Sequence, residues 1–469
     1  MKKTKIIATI GPSSKDVETL REMILSGMDI ARINMAYSTY DFAENIIDKI
    51  HKLNEELQSN VSIMLDLKGP DLSVCKFTGG TAYLTEGTKI RIYEEEVMGD
   101  STKFSVNYKE FVKKVKTNTT LKLDDGRIEL FVIDKSENYL LCEVKVGGFI
   151  EDGKGINVID QNLNIPFISE KDRKDIEFAN KMNVDFLALS FPSNGEDVLQ
   201  VNDILIELGN DHISIISKVE NQAAIDDIDE IIHNSDGVMV ARGDLGVQIP
   251  LERVPGIQKQ IISKCHRAGK VSIVSAEMLM SMESSVRPSR AEVSDVANAV
   301  LDGVDVVMLS GETTVGRYPV ITISTMVRII ESSEQELDYY EFLDRTMRSE
   351  KQDISGNISY STVECANRLK CRLIMVPTMT GYTAKKISRF RPVSPIVALT
   401  PDPNVVKELT MYYGIYPVLV GEIKTFDKMM KTVKEEALHY GAKGGLVMIT
   451  GGYPFSEVKH TNFMKIEEI

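Results

Sequence analysis

Short apolar, β-branched runs alternate with helix-length amphipathic segments through residues 1–335. The runs predict eight strands, at 4–9, 29–33, 61–66, 184–189, 213–218, 237–240, 271–274 and 305–309. Amphipathic segments that predict helices follow most of them, at 16–26, 42–54, 197–208, 222–233, 251–267 and 292–301. Strands that alternate with helices are typical of a parallel sheet with crossover helices. Eight such units favour a closed (β/α)8 barrel, a TIM barrel, over an open sheet.

Two parts of the chain depart from this alternation. Between the third and fourth runs, alternating segments at 89–93, 121–123, 128–133 and 139–146 are separated by glycine-rich turns, which predict a small inserted β domain. After residue 335 a polar stretch precedes five further strands, predicted at 373–376, 396–399, 415–420, 446–449 and 463–466. The predicted α/β fold therefore has a barrel (1–70 and 159–335), an inserted small β-barrel domain (71–158), a linker (336–356) and a C-terminal α/β domain (357–469).

Composition narrows the class of protein. With 469 residues, 43% of them hydrophobic and 26% charged, the chain is typical of a multidomain soluble protein. No apolar run approaches the ~18 residues of a membrane helix, and the N-terminal run is too short for a signal peptide. We therefore expect a cytoplasmic protein. A net charge of −14 without a basic block argues against nucleic acid or membrane as a partner.

The five cysteines are scattered, with no C-x-x-C pair, so neither a disulfide framework nor a zinc site is predicted.

Polar residues stand in pairs at the carboxyl ends of several predicted barrel strands. Residues two apart on an extended chain point the same way, so each pair directs two polar groups to one side. Active sites of such barrels form at this end. Any one pair could instead be a structural ion pair. The pairs are Arg32 with Asn34, Asp66 with Lys68, and Lys218 with Glu220.

Glu220 and Asp244 follow successive strands, and two converging carboxylates suit Mg²⁺ or Mn²⁺. Lys218 beside such an ion could stabilise a developing enolate or a transferring phosphoryl group. A buried salt bridge between Lys218 and Glu220 is the alternative. Around Asp244, Gly243 and Gly246 leave backbone N–H groups accessible to an anion. Neither a P-loop nor a dinucleotide-binding glycine motif is present.

Several segments resemble the signature sequences of the pyruvate kinase family, in the family's order and over essentially the whole chain. The resemblance implies a (β/α)8 barrel with an inserted β domain and a C-terminal regulatory domain, usually as a homotetramer. It also implies glycolytic phosphoryl transfer from phosphoenolpyruvate to ADP, giving pyruvate and ATP. The segments are 5–13, 27–34, 65–70, 215–221, 238–246 and 290–313.

The resemblance also implies roles for individual residues. Lys218 would stabilise the enolate and Arg32 would contact the phosphoryl group. Ala276 lies in the substrate-binding segment. The remaining assignments are Glu220 and Asp244 for Mg²⁺, the Gly243 and Asp244 amides for the substrate carboxylate, Asn34, Asp66 and the Leu67 carbonyl for K⁺, and Lys154 for the nucleotide.

Some positions depart from the family pattern. Ala36-Tyr37 replaces Ser-His and removes a hydroxyl ligand for K⁺, Ser73 replaces an arginine, and Ala276-Glu277 replaces Thr-Gln. Losing that arginine would weaken transition-state stabilisation. Three functions therefore remain open: a pyruvate kinase with reduced activity, a non-catalytic paralogue that acts as a binding or sensor protein, and a Mg²⁺-dependent enzyme acting on another enolisable or phosphorylated acid.

In the C-terminal domain, hydroxyl and N–H groups follow a predicted strand and open a predicted helix. They could bind a phosphate, and the segment resembles the family's effector loop. An ordinary helix cap is the alternative. The residues are Thr378, Thr380, Gly381 and Thr383.

Overall fold

The structure is a computed structural model that describes residues 1–70, 72–159, 161, 163, 165–349, 353–454 and 459–469. Within these residues the chain forms a barrel, an inserted β domain and a C-terminal α/β domain.

All eight predicted barrel strands are confirmed. They run parallel in chain order around the barrel, and the first strand pairs with the last through Lys5 and Val306. The interior is filled by apolar side chains such as Ile7, Met64 and Ile273, as a closed barrel of this size requires. The strands are Lys5–Thr9, Ile30–Asn34, Ser62–Asp66, Phe186–Leu189, Ser214–Val219, Gly237–Ala241, Val271–Ser275 and Val306–Leu309.

Helices surround the barrel, and serine caps begin two of them. Ser169 and Ser289 each form a capping box with the acidic residue three positions later, which satisfies backbone N–H groups at the helix start. The α-helices are Val17–Leu25, Tyr40–Leu57, Glu170–Lys181, Gly195–Glu207, Gln222–Asp226, Ile228–Asn234, Arg242–Gln248, Val254–Ala268, Arg290–Leu301, Gly311–Thr314 and Pro319–Gln335. Short 3-10 helices lie at Leu251–Arg253 and Met280–Glu283.

The prediction of a single helix at 222–233 is wrong. Two helices, Gln222–Asp226 and Ile228–Asn234, meet at Asp227, whose backbone has φ −105° and ψ 22°. The Asp227 carboxylate accepts a hydrogen bond of 2.8 Å from the Gly195 N–H at the start of the neighbouring helix. This tertiary contact holds the junction outside helical geometry.

The inserted domain contains a six-stranded sheet and a two-stranded sheet around its own apolar core. The four predicted strands are present, and four further strands of three or four residues accompany them. Its strands are Thr81–Leu84, Lys89–Tyr93, Lys103–Ser105, Thr120–Leu123, Ile128–Lys135, Tyr139–Val146, Gly148–Glu151 and Ile156–Val158. Its helices are Phe111–Lys114 and the 3-10 turn Thr78–Gly80.

The C-terminal domain contains all five predicted strands in one sheet, in which only the last strand is antiparallel. The stretch predicted as a linker contains a helix, Tyr339–Ser349. Strands Leu373–Pro377, Ile396–Thr400, Ile415–Leu419, Leu446–Gly451 and Phe463–Glu468 are covered by helices Ile354–Arg368, Tyr382–Arg389, Pro403–Leu409 and Phe426–His439.

The C-terminal domain packs against the amino-terminal end of the barrel. Met411 joins the apolar cluster inside the barrel, and Arg391 forms a buried ion pair of 2.8 Å with Asp305. Among the described residues, no helix is both long enough and apolar enough to cross a membrane.

Candidate active site

A cleft of about 600 Å³ lies between the carboxyl ends of the barrel strands and the inserted domain. Its barrel side includes five of the predicted site residues, and its other side includes Gly153, Gly155 and Asn157 of the inserted domain. The end of the barrel that carries the cleft is therefore the one predicted from the strand-end polar pairs. The five residues are Asn34, Leu67, Lys218, Glu220 and Asp244.

The Lys218 ammonium is the centre of a buried polar network. Its Nζ atom lies 2.8 Å from Glu220 Oε1 and 3.5 Å from Asp66 Oδ1, and it donates a 2.8 Å hydrogen bond to Ser190 Oγ. Burial alone would lower the pKa of Lys218, but the nearby charges of Asp66 and Glu220 have the larger combined effect. The net result is a raised pKa. Lys218 is therefore a cation at the base of the cleft. The salt bridge to Glu220, which the sequence analysis gave as the alternative to a catalytic role, is present.

Asp66 lies beneath the cleft and is shared by two cations. Arg32 contacts Asp66 Oδ2 through Nε at 2.7 Å and through a terminal nitrogen at 2.6 Å, and it donates a 2.8 Å hydrogen bond to Thr9 Oγ1. Burial raises the pKa of Asp66, but Arg32 and Lys218 outweigh it, so the pKa is lowered. The guanidinium of Arg32 is thus fixed in orientation at the second strand.

The Glu220 carboxylate is buried at the edge of the cleft. Its Oε2 accepts a 2.6 Å hydrogen bond from the Phe191 N–H. Its buried Oε1 accepts no hydrogen bond of regular geometry and instead forms the ion pair with Lys218 Nζ. Burial, only partly offset by Lys218, raises its pKa to about 8, and the nearby charge of Asp244 contributes. Neighbouring carboxylates in such a setting suit a hard cation, so Glu220 and Asp244 fit a Mg²⁺ site.

Two protein carboxylates do not enclose a metal by themselves. Among the residues that the structure describes, no group of three or more His, Cys, Asp or Glu side chains is placed to hold one. A divalent ion here would therefore keep positions for water and substrate, as catalytic Mg²⁺ sites commonly do.

Gly243 and Asp244 are exposed in the first turn of the helix Arg242–Gln248. Ala276, from the loop after the next strand, has its Cβ 3.5 Å from the position that a Cβ on Gly243 would occupy. The structure thus brings together the segment predicted to hold the substrate carboxylate and the substituted position Ala276.

In the inserted domain, Lys154 and Ser73, two positions that the family resemblance singled out, contact other residues of the same domain. Lys154 forms a 2.9 Å ion pair with Asp124, whose hydrogen bond raises the pKa of Lys154, although the adjacent Gly153 and Gly155 line the cleft. Ser73 forms a β-bridge with Gly155 and is partly buried.

The positions that replace Ser-His line the cleft directly. Tyr37 is 91% exposed, and the Ala36 N–H donates a 3.0 Å hydrogen bond to Asn34 Oδ1. Ala36 offers no side-chain oxygen to a cation.

Ser190 was missed in the sequence. Its hydroxyl contacts Lys218 and donates a 2.8 Å hydrogen bond to the Leu67 carbonyl, so it links two predicted site residues. Its place directly after the fourth barrel strand was the available signal. The Ser275 hydroxyl, by contrast, donates a 3.3 Å hydrogen bond to the Val240 carbonyl within the barrel wall.

Three of the four predicted effector residues line a separate cavity in the C-terminal domain. Thr378, Thr380 and Thr383 face Lys459 and His460 there. Gly381, with φ 73°, begins the helix Tyr382–Arg389 in the left-handed conformation that glycine adopts without strain.

Comparison with known proteins agrees with this architecture. The family described as pyruvate kinase, barrel domain, matches residues 1–323, and the pyruvate kinase alpha/beta domain matches residues 356–467. Pyruvate kinases of Clostridium acetobutylicum and Clostridium perfringens are 39% and 41% identical, with full coverage of both chains. The chain covers 80% of the pyruvate kinase of Geobacillus stearothermophilus at 39% identity. A crystal structure of a pyruvate kinase from Cryptosporidium parvum superposes with a TM-score of 0.93, at 36% identity, covering 100% of this chain and 96% of that one.

A (β/α)8 barrel with an inserted β domain, a C-terminal α/β domain and a lysine-carboxylate cleft defines a class of phosphotransferases. The chain belongs to the pyruvate kinase family.

Proposed function

We propose that this protein transfers the phosphoryl group of phosphoenolpyruvate to ADP and releases pyruvate and ATP. The observation that carries the proposal is the array at the base of the cleft, in which Lys218 is held between Asp66, Glu220 and Ser190. Relatives named pyruvate kinase match the chain over its full length. No observation favours a sensor protein or a Mg²⁺-dependent enzyme acting on another enolisable or phosphorylated acid.

Lys218 is the proposed catalytic cation. An ammonium with a raised pKa keeps its proton throughout the reaction and can stabilise the negative charge that develops on the enolate oxygen. Arg32, oriented by Asp66 and Thr9, is the proposed phosphoryl contact. The backbone amides of Gly243 and Asp244, two exposed residues, are the proposed partners of the substrate carboxylate, on the resemblance to the family.

Glu220 and Asp244 would hold the divalent ion, with Mg²⁺ the proposed metal and Mn²⁺ the alternative. When bound, such an ion neutralises charge on phosphoryl and enolate oxygens. Lys218 orients Glu220 by ion pairing, and the Phe191 N–H fixes its other oxygen. The carboxylate is thereby presented to the cleft in one orientation.

A potassium site at Asn34, Asp66 and the Leu67 carbonyl stays a prediction of the resemblance. Asp66 already pairs with two cations, the Leu67 carbonyl already accepts from Ser190, and Ala36 supplies no hydroxyl. We derive no catalytic step from a monovalent ion. The nucleotide role of Lys154, the homotetramer and the cytoplasmic location also stay predictions.

For the C-terminal cavity, we propose an effector site that takes a phosphorylated small molecule. The threonine hydroxyls of residues 378, 380 and 383, with Lys459 and His460 on the same cavity, offer donors suited to a phosphate.

The test is a coupled assay for pyruvate with phosphoenolpyruvate, ADP and Mg²⁺. We expect turnover by the wild type and a loss of ~10² to 10³ in kcat for Lys218→Met, since one preorganised donor to a developing oxyanion contributes on that order. Lys264→Met, at a partly exposed lysine paired with Asp229 on the barrel surface, is the matched control and should keep wild-type kcat. Absent pyruvate formation by the wild type would refute the proposal.

A further inference from the structure

The side chain of Arg242 joins two loops at the mouth of the barrel. One terminal nitrogen donates a 2.7 Å hydrogen bond to the Ala276 carbonyl, and Nε donates one of 3.3 Å to the Ser275 carbonyl. The other terminal nitrogen bonds Asp295 Oδ1 at 2.7 Å, and the side chain is only 15% exposed. A guanidinium presents several donors in a rigid plane, so all three acceptors constrain its position at once.

The loop that Arg242 holds has an uncommon backbone conformation. Ala276 and Glu277 are consecutive residues with φ of 72° and 56°, in the left-handed region that residues with a Cβ seldom adopt. Such backbone persists where the surroundings over-determine it, and it clusters at functional sites. Ser275 directly precedes this turn and Ala276 lies in it. In the part of the chain that the structure describes, Arg242 is the side chain that donates hydrogen bonds to the carbonyls of these two residues.

Arg242 directly precedes Gly243 and Asp244 in the chain. Its backbone therefore belongs to the segment proposed to bind the substrate carboxylate and the metal, while its side chain fixes the adjacent loop. The Ala276 methyl lies 3.5 Å from the position of a Cβ on Gly243, so the two loops are in contact. A shift of the loop at 275–278 would change the space above Gly243.

We propose that Arg242, oriented by Asp295, is a positioning residue that sets the spacing between the Gly243-Asp244 segment and the loop 275–278 for binding of phosphoenolpyruvate. The inference rests on the proposed function and adds to it a residue that does not touch the reacting atoms. Its effect should fall on phosphoenolpyruvate, because the loop that Arg242 holds is next to Gly243, whereas the proposed nucleotide contact, Lys154, belongs to the inserted domain.

The test compares Arg242→Lys, which keeps the charge but loses the planar fork, with wild type. Calorimetry with phosphoenolpyruvate and Mg²⁺ gives the affinity, and the coupled assay gives kcat and both KM values. We expect kcat/KM for phosphoenolpyruvate to fall by about 10², the cost of a small misplacement of reacting groups, with an unchanged KM for ADP. Arg267→Lys, at an exposed position at the end of a barrel helix, is the matched control.

A second variant, Asp295→Asn, leaves Arg242 in place and removes the charge that orients it. We expect the same selective effect on phosphoenolpyruvate, smaller in size, and no further loss when it is combined with Arg242→Lys. Unchanged phosphoenolpyruvate affinity in Arg242→Lys would overturn the proposal. Equal losses for both substrates, together with a lowered melting temperature, would also overturn it and assign Arg242 to general stability.

The two proposals fail in different ways. Wild-type protein that binds phosphoenolpyruvate but forms no pyruvate contradicts the proposed reaction, and the calorimetric comparison of the variants still decides the role of Arg242.

Discussion

At the base of the cleft, two cations and two carboxylates are arranged so that no buried charge is isolated. Asp66 separates Arg32 from Lys218, and Glu220 contacts Lys218 from the other side. An unpaired buried charge would be strongly destabilising, whereas in this network each cation contacts a carboxyl group, and the contacts hold the side chains in one orientation. The arrangement therefore serves the fold and keeps Lys218 ready as a donor.

Ser73, where the family pattern has an arginine, is the substitution with the clearest expected effect on rate. The residue pairs by a β-bridge with Gly155, which lines the cleft, so a longer side chain at 73 starts next to the proposed nucleotide region. We expect Ser73→Arg to raise kcat by at least about tenfold, because a cation beside a transferring phosphoryl group can contribute 10³ or more.

The measurement is kcat at saturating phosphoenolpyruvate and ADP. Ser73→Met, of similar length but uncharged, controls for the added bulk and should show no gain. An unchanged kcat in Ser73→Arg would mean that the protein compensates for the missing arginine in another way.

The strand-end residues show which part of the site could be predicted at the scale of single residues. Asp66, Lys218 and Glu220 were predicted because two-residue spacing at a strand end places charges on one side, and charges there are conspicuous. Thr9 and Ser190 were not predicted. Neutral hydroxyls are common, so the position of Ser190 just after a strand was only a weak signal, and the closed barrel is what brings the two hydroxyls to Arg32 and Lys218. The positioning role of Arg242 could not be predicted either, because the groups that its side chain contacts lie 33 and more residues away in the sequence.

At the scale of elements, strands were predictable and helix breaks were not. Each barrel strand is a short and mostly buried run rich in apolar residues, and this pattern alone predicts it. The break at Asp227 depends on a hydrogen bond to Gly195, which no local pattern records. The helix Tyr339–Ser349 was predicted as linker because its polar residues dominate, although Phe342 and Leu343 are buried.

Asp185, just before the fourth barrel strand, should make stability depend on pH. Its Oδ2 accepts a 2.7 Å hydrogen bond from the Ile63 N–H, and burial, partly offset by Lys407, raises its pKa from 3.8 to about 6. A carboxyl whose pKa is raised by folding contributes stability below pH ~4 that is lost as pH rises through 6. Because the side chain keeps some exposure, we expect an effect of about 1–2 kcal/mol.

Asp185→Asn keeps the acceptor for the Ile63 N–H and removes the charge. Urea unfolding should show the variant more stable than wild type at pH 8 and equal to it at pH 4. Asp203→Asn, at an exposed helical position, is the control. A difference that is the same at both pH values would show that charge is not the cause.

The whole molecule is held together where the C-terminal domain meets the amino-terminal end of the barrel, opposite the cleft. Met411 enters the barrel core, and the Gly414 N–H donates a 2.8 Å hydrogen bond to the Lys3 carbonyl near the chain start. The His266 ring, whose pKa burial lowers to about 3, is neutral at this interface and bonds the Arg389 carbonyl. The surface is therefore a buried junction that joins the two domains.

Arg391 is the residue on which this junction should depend most. Its guanidinium contacts Asp305 at 2.8 Å and the Gly303 carbonyl at 2.7 Å, and it lies over the Tyr413 ring. In Arg391→Met, Asp305 would keep its hydrogen bonds from Ser272 but lose its counter-charge, so we expect a destabilisation of about 3–5 kcal/mol. Urea unfolding with separate probes of the two domains measures this loss of unfolding free energy.

Arg368→Met, which removes an i, i+4 pair with Glu364 on the helix surface, is the matched control and should lower the unfolding free energy by only ~0.3–0.5 kcal/mol. A similar small cost in Arg391→Met would contradict the argument, because the apolar contacts around Met411 would then suffice to hold the domains together.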